Sequence, residues 1–220
     1  MRATIAEELL LLRLDDEDGK KRGDSTKMGF GVVGAHLLEL GLAGRVELEG
    51  KKIAVRGDSP VGEAATDEVL QALTEAKRPA TPHTWMSKLS SKSTKATMES
   101  LVDKGFVHEE ERKVLGLFPG KRYPAADDSA EADARRRLRT VLIEGQRPDA
   151  RTAALVGMVH ATGLAKSLFP ESDGKEIAKR AKEIAESGDD LASDAVTKTV
   201  AAVSTAVQTA VMAAVGGSGQ

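Results

Sequence analysis

Residues 151–164 read RTAALVGMVHATGL. Ala153, Leu155, Val156, Met158, Val159 and Leu164 put apolar groups on most sides of the helix that this stretch predicts within 150–168. A helix at a protein surface carries one apolar stripe, whereas a helix that is apolar all round has to be covered by other elements. The reading is therefore a central helix inside a helical bundle.

The flanking sequence supplies the covering elements. Helices are predicted over 129–144, 174–187 and 190–215. In the last of these Val196, Val200, Val203, Val207, Val211 and Val215 form a one-sided stripe broken by Lys198 and Gln208, which is not the pattern of a membrane span. Toward the N-terminus, Thr4 and Glu7 fit a capping box ahead of Ile5, Leu9 and Leu12. A charged, glycine-containing loop over 15–27 precedes a second helix, 28–42, with Val32, Leu37, Leu38 and Leu40 apolar. Residues 45–49 and 51–55 alternate around Gly50 as a short β-hairpin. Thr66 is the expected cap of a helix over 67–77, and two further helices are expected over 82–89 and 93–104. A second hairpin is expected where the apolar run Lys113–Phe118 meets Pro119-Gly120, read as its turn.

Composition fits this picture. Of 220 residues 40% are hydrophobic and 3% aromatic, so the core is made of Leu, Val and Ala, which favour helices. The fold class is mainly α: one helical domain over 1–215 with a hydrophobic central helix wrapped by amphipathic helices, two short β-hairpins, and a disordered tail at 216–220. No Cys is present, which removes disulfides and thiolate chemistry. Residues 1–14 carry Glu7, Glu8 and Arg13 among their leucines and do not form a secretory signal, so a cytoplasmic protein is expected.

The catalytic motifs that could be sought are weak. Gly29, Gly31 and Gly34 match G-x-G-x-x-G, yet the residues before them are polar and not a strand, so the glycines are read as permitting close helix packing. Asp15 to Gly19 lacks the carboxylates a calcium loop needs at its ends. His36, His83, His108 and His160 show no ligand spacing, and His36 and His160 lie in apolar helices as satisfied core groups. No nucleophile elbow occurs. No enzymatic activity, metal or cofactor is expected, and no nucleic-acid partner.

The net charge of −2 is unevenly spread. Residues 1–76 carry ten Lys and Arg against fifteen Asp and Glu (−5), and residues 77–122 carry ten against five (+5). In the basic segment Lys88, Lys92 and Lys95 recur at helical spacing among Ser90, Ser91, Ser93 and Thr94. That arrangement suits a phosphate, although such runs are more often simply solvated. In the hairpin, Val114, Leu115, Leu117 and Phe118 are read as an apolar tip with Lys121 and Arg122 beside it, suited to a bilayer surface or to another subunit.

The phrases IAEELLLLRLDDEDGK (5–20), GAHLLELGLAGRVELEGKK (34–52), GDSPVGEAATDEVLQAL (57–73), LVDKGFV (101–107) and RTAALVGMVHATGL (151–164) occur in an order that resembles the Golgi phosphoprotein 3 family. That resemblance implies a mainly α-helical domain with a buried central helix, here 150–168, and a protruding hairpin near 114–123 used for membrane contact and self-association. Eukaryotic members read phosphatidylinositol 4-phosphate. Their headgroup pocket uses two basic residues, which fall on Lys92 and Lys95 when counted back from Leu101, with Lys88 nearby. It also uses an Arg and a Trp, which fall on Val33 and near Asp24, so half of that pocket is missing. The Ala and Gly content and short loops fit a bacterial relative, whose ligand would be another anionic lipid or phosphate-bearing molecule. The expected function is peripheral binding of an anionic phospholipid headgroup at the cytoplasmic membrane face. The alternative is a protein-interaction scaffold that forms homo-oligomers through the hairpin.

Overall fold

Thr4 and Glu7 close the expected capping box: the Glu7 N–H donates to Thr4 Oγ1 (3.2 Å) and the Thr4 N–H donates to Glu7 Oε2 (2.7 Å). They begin α1 (Ile5–Leu11) in a computed structural model that describes residues 2–14, 25–114, 118–186 and 195–216. The expected acidic loop thus falls largely outside the described residues, as do residues 217–220 of the expected tail.

Every residue of α1 is buried, including Glu7 and Glu8. Buried carboxylates need partners, and these come from distant parts of the chain. Lys104 Nζ lies 2.9 Å from Glu7 Oε1 and 2.6 Å from Glu63 Oε2, and Ser100 Oγ donates to Glu7 Oε1 (2.7 Å). Arg137 Nη2 donates to Glu8 Oε1 (2.8 Å) and Arg151 Nη1 to Glu39 Oε1 (2.7 Å). Burial pushes the Glu8 carboxyl above its usual range, against the pull of Arg151 and Arg137.

The second helix, α2 (Ser25–Leu42), starts three residues before the expected Met28 and is buried from Met28 to Leu38. It packs against α1, α3, α4, α6 and α8. Its glycines are the reason it can. A β-carbon on Gly31 would stand 2.4 Å from Thr162 Cγ2, and one on Gly34 would stand 2.4 Å from Val207 Cγ1. The G-x-G-x-x-G run is thus a contact surface in mid-helix, as read from the sequence.

Stretch 150–168 is largely buried as expected, with Gly163, Lys166 and Ser167 exposed, but it is not one helix. α6 (Ala150–Thr162) ends at Gly163, whose φ of +80° is a left-handed cap, and a 3-10 turn covers Leu164–Ser167. Two helices, α2 and α6, therefore share the centre that the sequence assigned to one.

The remaining elements are α3 (Ala64–Thr74), α4 (Pro82–Asp103), α5 (Ser129–Leu142), α7 (Gly174–Glu186) and α8 (Ala195–Gly216). The expected break at 90–92 does not occur. Thr81 caps α4 by accepting from the Thr84 N–H. Within the helix Thr94 and Thr97 donate to the Ser90 and Ser93 carbonyls, so the hydroxyls bond inside the helix and do not end it. Thr66 is not the cap of α3. It lies inside the helix, fully buried, with its hydroxyl 2.9 Å from His36 Nδ1.

Two hairpins complete the fold. β1 (Val46–Glu49) pairs antiparallel with β2 (Lys52–Val55) across Gly50-Lys51, as expected. β3 (Glu110–Val114) pairs with β4 (Phe118–Arg122) in the register Val114 to Phe118 and Arg112 to Gly120. Pro119 and Gly120 therefore lie within β4 and not at the turn. A two-stranded ribbon has outer edges throughout, where a proline costs no ladder bond. No helix among the described residues is long and apolar enough to cross a membrane.

Candidate functional site

The seryl and threonyl run of α4 faces the start of α2, and the gap between them is closed at one side by the base of β4. The result is a groove of about 500 Å³, inside the size range of small-ligand sites. Ser90, Ser91, Thr94 and Lys95 come from α4, Ser25, Thr26 and Gly29 from α2, Lys121 and Tyr123 from the hairpin base, and Arg13 from the exit of α1. Gly29 keeps the wall low, since a β-carbon there would stand 3.2 Å from Ser90 Cβ.

Hydroxyl groups and cations dominate this lining. Arg13 is 3% exposed, and its Nη2 donates to Ser25 Oγ (3.1 Å). Lys95 is largely in solvent, 3.6 Å from Glu99 Oε1, a separation beyond a hydrogen bond. Lys121 Nζ lies 2.7 Å from Glu109 Oε1, and the Tyr123 hydroxyl donates to Glu109 Oε2 (3.3 Å). The hydrogen bond from Lys121 holds the Glu109 carboxyl below its usual range, and the same bond raises the Lys121 ammonium above its own. Three cations, two carboxylates and several hydroxyls suit a compact anion with several oxygens.

The three lysines singled out in the sequence do not converge. Lys95 lines the groove, while Lys92 turns toward α3 and pairs with Glu68 Oε2 (3.1 Å). Lys88 lies over the Trp85 ring at 5.4 Å. Of the interspersed hydroxyls, Ser90, Ser91 and Thr94 reach the groove, and Ser93 is buried on the opposite face. Val33 is fully buried in the core, and Asp24 lies outside the described residues.

The hairpin reading changes with the register. Val114 and Phe118 are the pair farthest along the ribbon, so Lys121 and Arg122 lie at its base, opposite Glu111 and Glu110, and not beside its tip. Arg122 Nε donates to Glu110 Oε2 (2.6 Å). Leu115 and Leu117 lie outside the described residues, as do the side chains of Val114 and Phe118. Arg13 and Tyr123 were not picked out from the sequence as site residues. The available signal for Arg13 was a lone cation inside LLLLRL, which a buried helix end tolerates only with polar company.

Elsewhere the structure offers less. A second depression, about 540 Å³, is lined by Arg2 and Arg151 against Glu39, Glu63 and Asp149, with no excess of positive charge. Among the described residues no group of three or more His, Asp or Glu could hold a metal ion. His36 is satisfied by Thr66 and Thr97 and buried away from any opening.

Comparison with known proteins gives a consistent result. The family model described as Golgi phosphoprotein 3 matches residues 5–203. The chain is also similar to vacuolar protein sorting-associated protein 74 of Eremothecium gossypii, with 29% identity over 164 residues, 64% of this chain and 49% of that protein. It thus spans about half the length of that curated relative.

Proposed function

The chain belongs to the Golgi phosphoprotein 3 family, and from that starting point we propose that it binds the phosphate-bearing headgroup of an anionic phospholipid in the groove between α2, α4 and the hairpin base. The observation that carries this reading is the convergence of Arg13, Lys95 and Lys121 from three separate elements on one hydroxyl-lined groove. Charge-assisted hydrogen bonds from such groups are the main source of affinity for a phosphate. The +5 charge of residues 77–122 adds longer-range attraction to an anionic surface. Lys92 does not line the groove and is paired with Glu68, so in this reading it contributes only to the positive charge of the segment. The protein works without catalysis, peripherally, at the cytoplasmic face of a membrane. The name of the Eremothecium gossypii relative refers to vacuolar protein sorting, which agrees with such a role.

The test is flotation with phosphatidylcholine vesicles, alone or containing phosphatidylinositol 4-phosphate. Salt-sensitive binding to the anionic vesicles, weakened by Lys95→Ala and more so by Lys92→Ala with Lys95→Ala, is the expected result. Equal binding by the double variant, or none by wild type, overturns the reading.

A second reading rests on the β3–β4 ribbon, a two-stranded sheet among the described residues, whose outer edges can pair with another chain. Homo-oligomerisation through residues 114–123 would then present several grooves to one membrane. Sedimentation of wild type and of a Leu117→Asp, Phe118→Asp variant checks it: a shared monomer rules it out.

A further inference from the structure

Two carboxylates face the groove that is proposed to take an anion, and they are held differently. Glu99 stands 3.6 Å from Lys95, outside hydrogen-bond range, on an exposed helix surface. Glu109 instead engages two groove residues together, with Lys121 Nζ at 2.7 Å on one oxygen and the Tyr123 hydroxyl at 3.3 Å on the other. It presents two oxygens to the groups that a phosphate would use, at the mouth of the same cavity. Both partners of the ion pair are open to solvent, the Lys121 and Glu109 side chains being 59% and 38% exposed, so the pair can be exchanged at small cost.

We propose that Glu109 is a built-in competitor for the groove: it occupies Lys121 and Tyr123 when the site is empty, and a phosphate monoester displaces it. This inference rests on the groove reading above. The chemistry that fits is a doubly charged phosphate monoester, because its three terminal oxygens can take Lys121, Tyr123 and the α4 hydroxyls together, whereas a singly charged diester gains less from the exchange. Ligand binding then breaks the link between Glu109, just before β3, and Lys121 on β4, so the groove and the hairpin base respond to each other.

The experiment compares wild type with Glu109→Gln, Lys121→Gln, the double variant and Glu111→Gln, whose exposed carboxylate is outside the groove lining. Two probes separate the sources of the phosphate: phosphatidylcholine vesicles carrying phosphatidylinositol 4-phosphate, and soluble glycerol 3-phosphate followed by calorimetry. Glu109→Gln is expected to tighten binding by about two- to fivefold, the range that release of an exposed ion pair allows. Glu111→Gln, which removes the same charge, leaves affinity at the wild-type value, and the gain disappears when Lys121→Gln is also present. A gain with glycerol 3-phosphate assigns the effect to the phosphate itself, and a gain on vesicles alone assigns it to the headgroup in its membrane. Wild-type binding that Lys95→Ala weakens but Glu109→Gln leaves unchanged overturns the competitor role and leaves the groove standing. The same gain from Glu111→Gln reduces the effect to net charge and overturns it equally. No binding of wild type to either probe removes the groove reading and this inference with it.

Discussion

Gly34 on α2 and Val207 on α8 meet so closely that a β-carbon on Gly34 would stand 2.4 Å from Val207 Cγ1 and 3.2 Å from Met158 Sδ. Gly34→Ala gains about 1 kcal/mol of helix propensity but has to force α8 or Val207 aside in a fully packed core. The expected outcome is a net loss of about 2 kcal/mol in urea unfolding. Gly29→Ala, which meets Ser90 Cβ at 3.2 Å beside the open groove, is expected to cost less. Equal stability of the two variants would contradict the packing role of Gly34.

His36 makes the protein sensitive to acid. Thr97 Oγ1 donates to the Ser93 carbonyl (2.7 Å), so it accepts from His36 Nε2–H (3.0 Å), and Nδ1 accepts from the Thr66 hydroxyl. The ring is neutral in that arrangement. Burial lowers its pKa to about 4 from an ordinary 6.5, despite the nearby charge of Glu7. The unfolded chain therefore binds the proton more readily than the folded one between pH 6.5 and about 4. Stability is complete above that window and falls as pH drops through it, by roughly 3 kcal/mol in all. Unfolding midpoints followed from pH 7 to 4.5 should converge for wild type and His36→Gln; parallel curves would show that His36 does not titrate as described.

Lys104 is the partner that makes a buried Glu7 tolerable. Burial opposes its charge, but its bonds to Glu63 and Glu7 hold the ammonium above its ordinary pKa. Lys104→Ala strands the Glu7 carboxylate, 2% exposed, and is expected to cost about 3 kcal/mol. Lys92→Ala breaks only the exposed pair with Glu68 and is expected to change stability by less than about 1 kcal/mol. Chemical denaturation of the two variants side by side measures the contrast.

Ser91 and Ser93 lie two residues apart on α4 and face opposite ways. Removing one hydrogen bond to an anion costs on the order of 1 kcal/mol, or about fivefold in affinity. Ser91→Ala is expected to weaken binding to anionic vesicles by that order. Ser93→Ala, on the buried face, should leave binding unchanged. The reverse pattern would place the ligand elsewhere.

Local signals were legible in the sequence where one residue decides the outcome. The Thr4–Glu7 box, the Gly50 hairpin and the packing glycines of α2 each depend on contacts within a few residues or on an absent side chain. Readings failed where a polar residue had a distant partner. Thr66 looked like a helix cap because its partner, His36, is 30 residues away. The expected break at 90–92 is absent because Thr94 and Thr97 bond to the helix's own carbonyls, which the sequence does not distinguish from competing bonds. Pro119-Gly120 looked like a turn because a proline on a ribbon edge has the same sequence signature as one at a turn. The groove was half visible for a related reason. Lys95 and its hydroxyls share one helix, whereas Arg13, Lys121 and Tyr123 join them only through tertiary packing.

The buried charges of α1 also set an order of assembly. Glu8 is matched by Arg137 and Arg151, 129 and 143 residues further along, and Glu7 by Lys104, 97 residues on. During synthesis α1 emerges before α4, α5 and α6, yet it cannot be buried at an acceptable cost until they have been made. α1 is thus completed only after elements made well after it, and a nascent chain halted before Arg137 would hold an exposed, leucine-rich α1 in need of a chaperone.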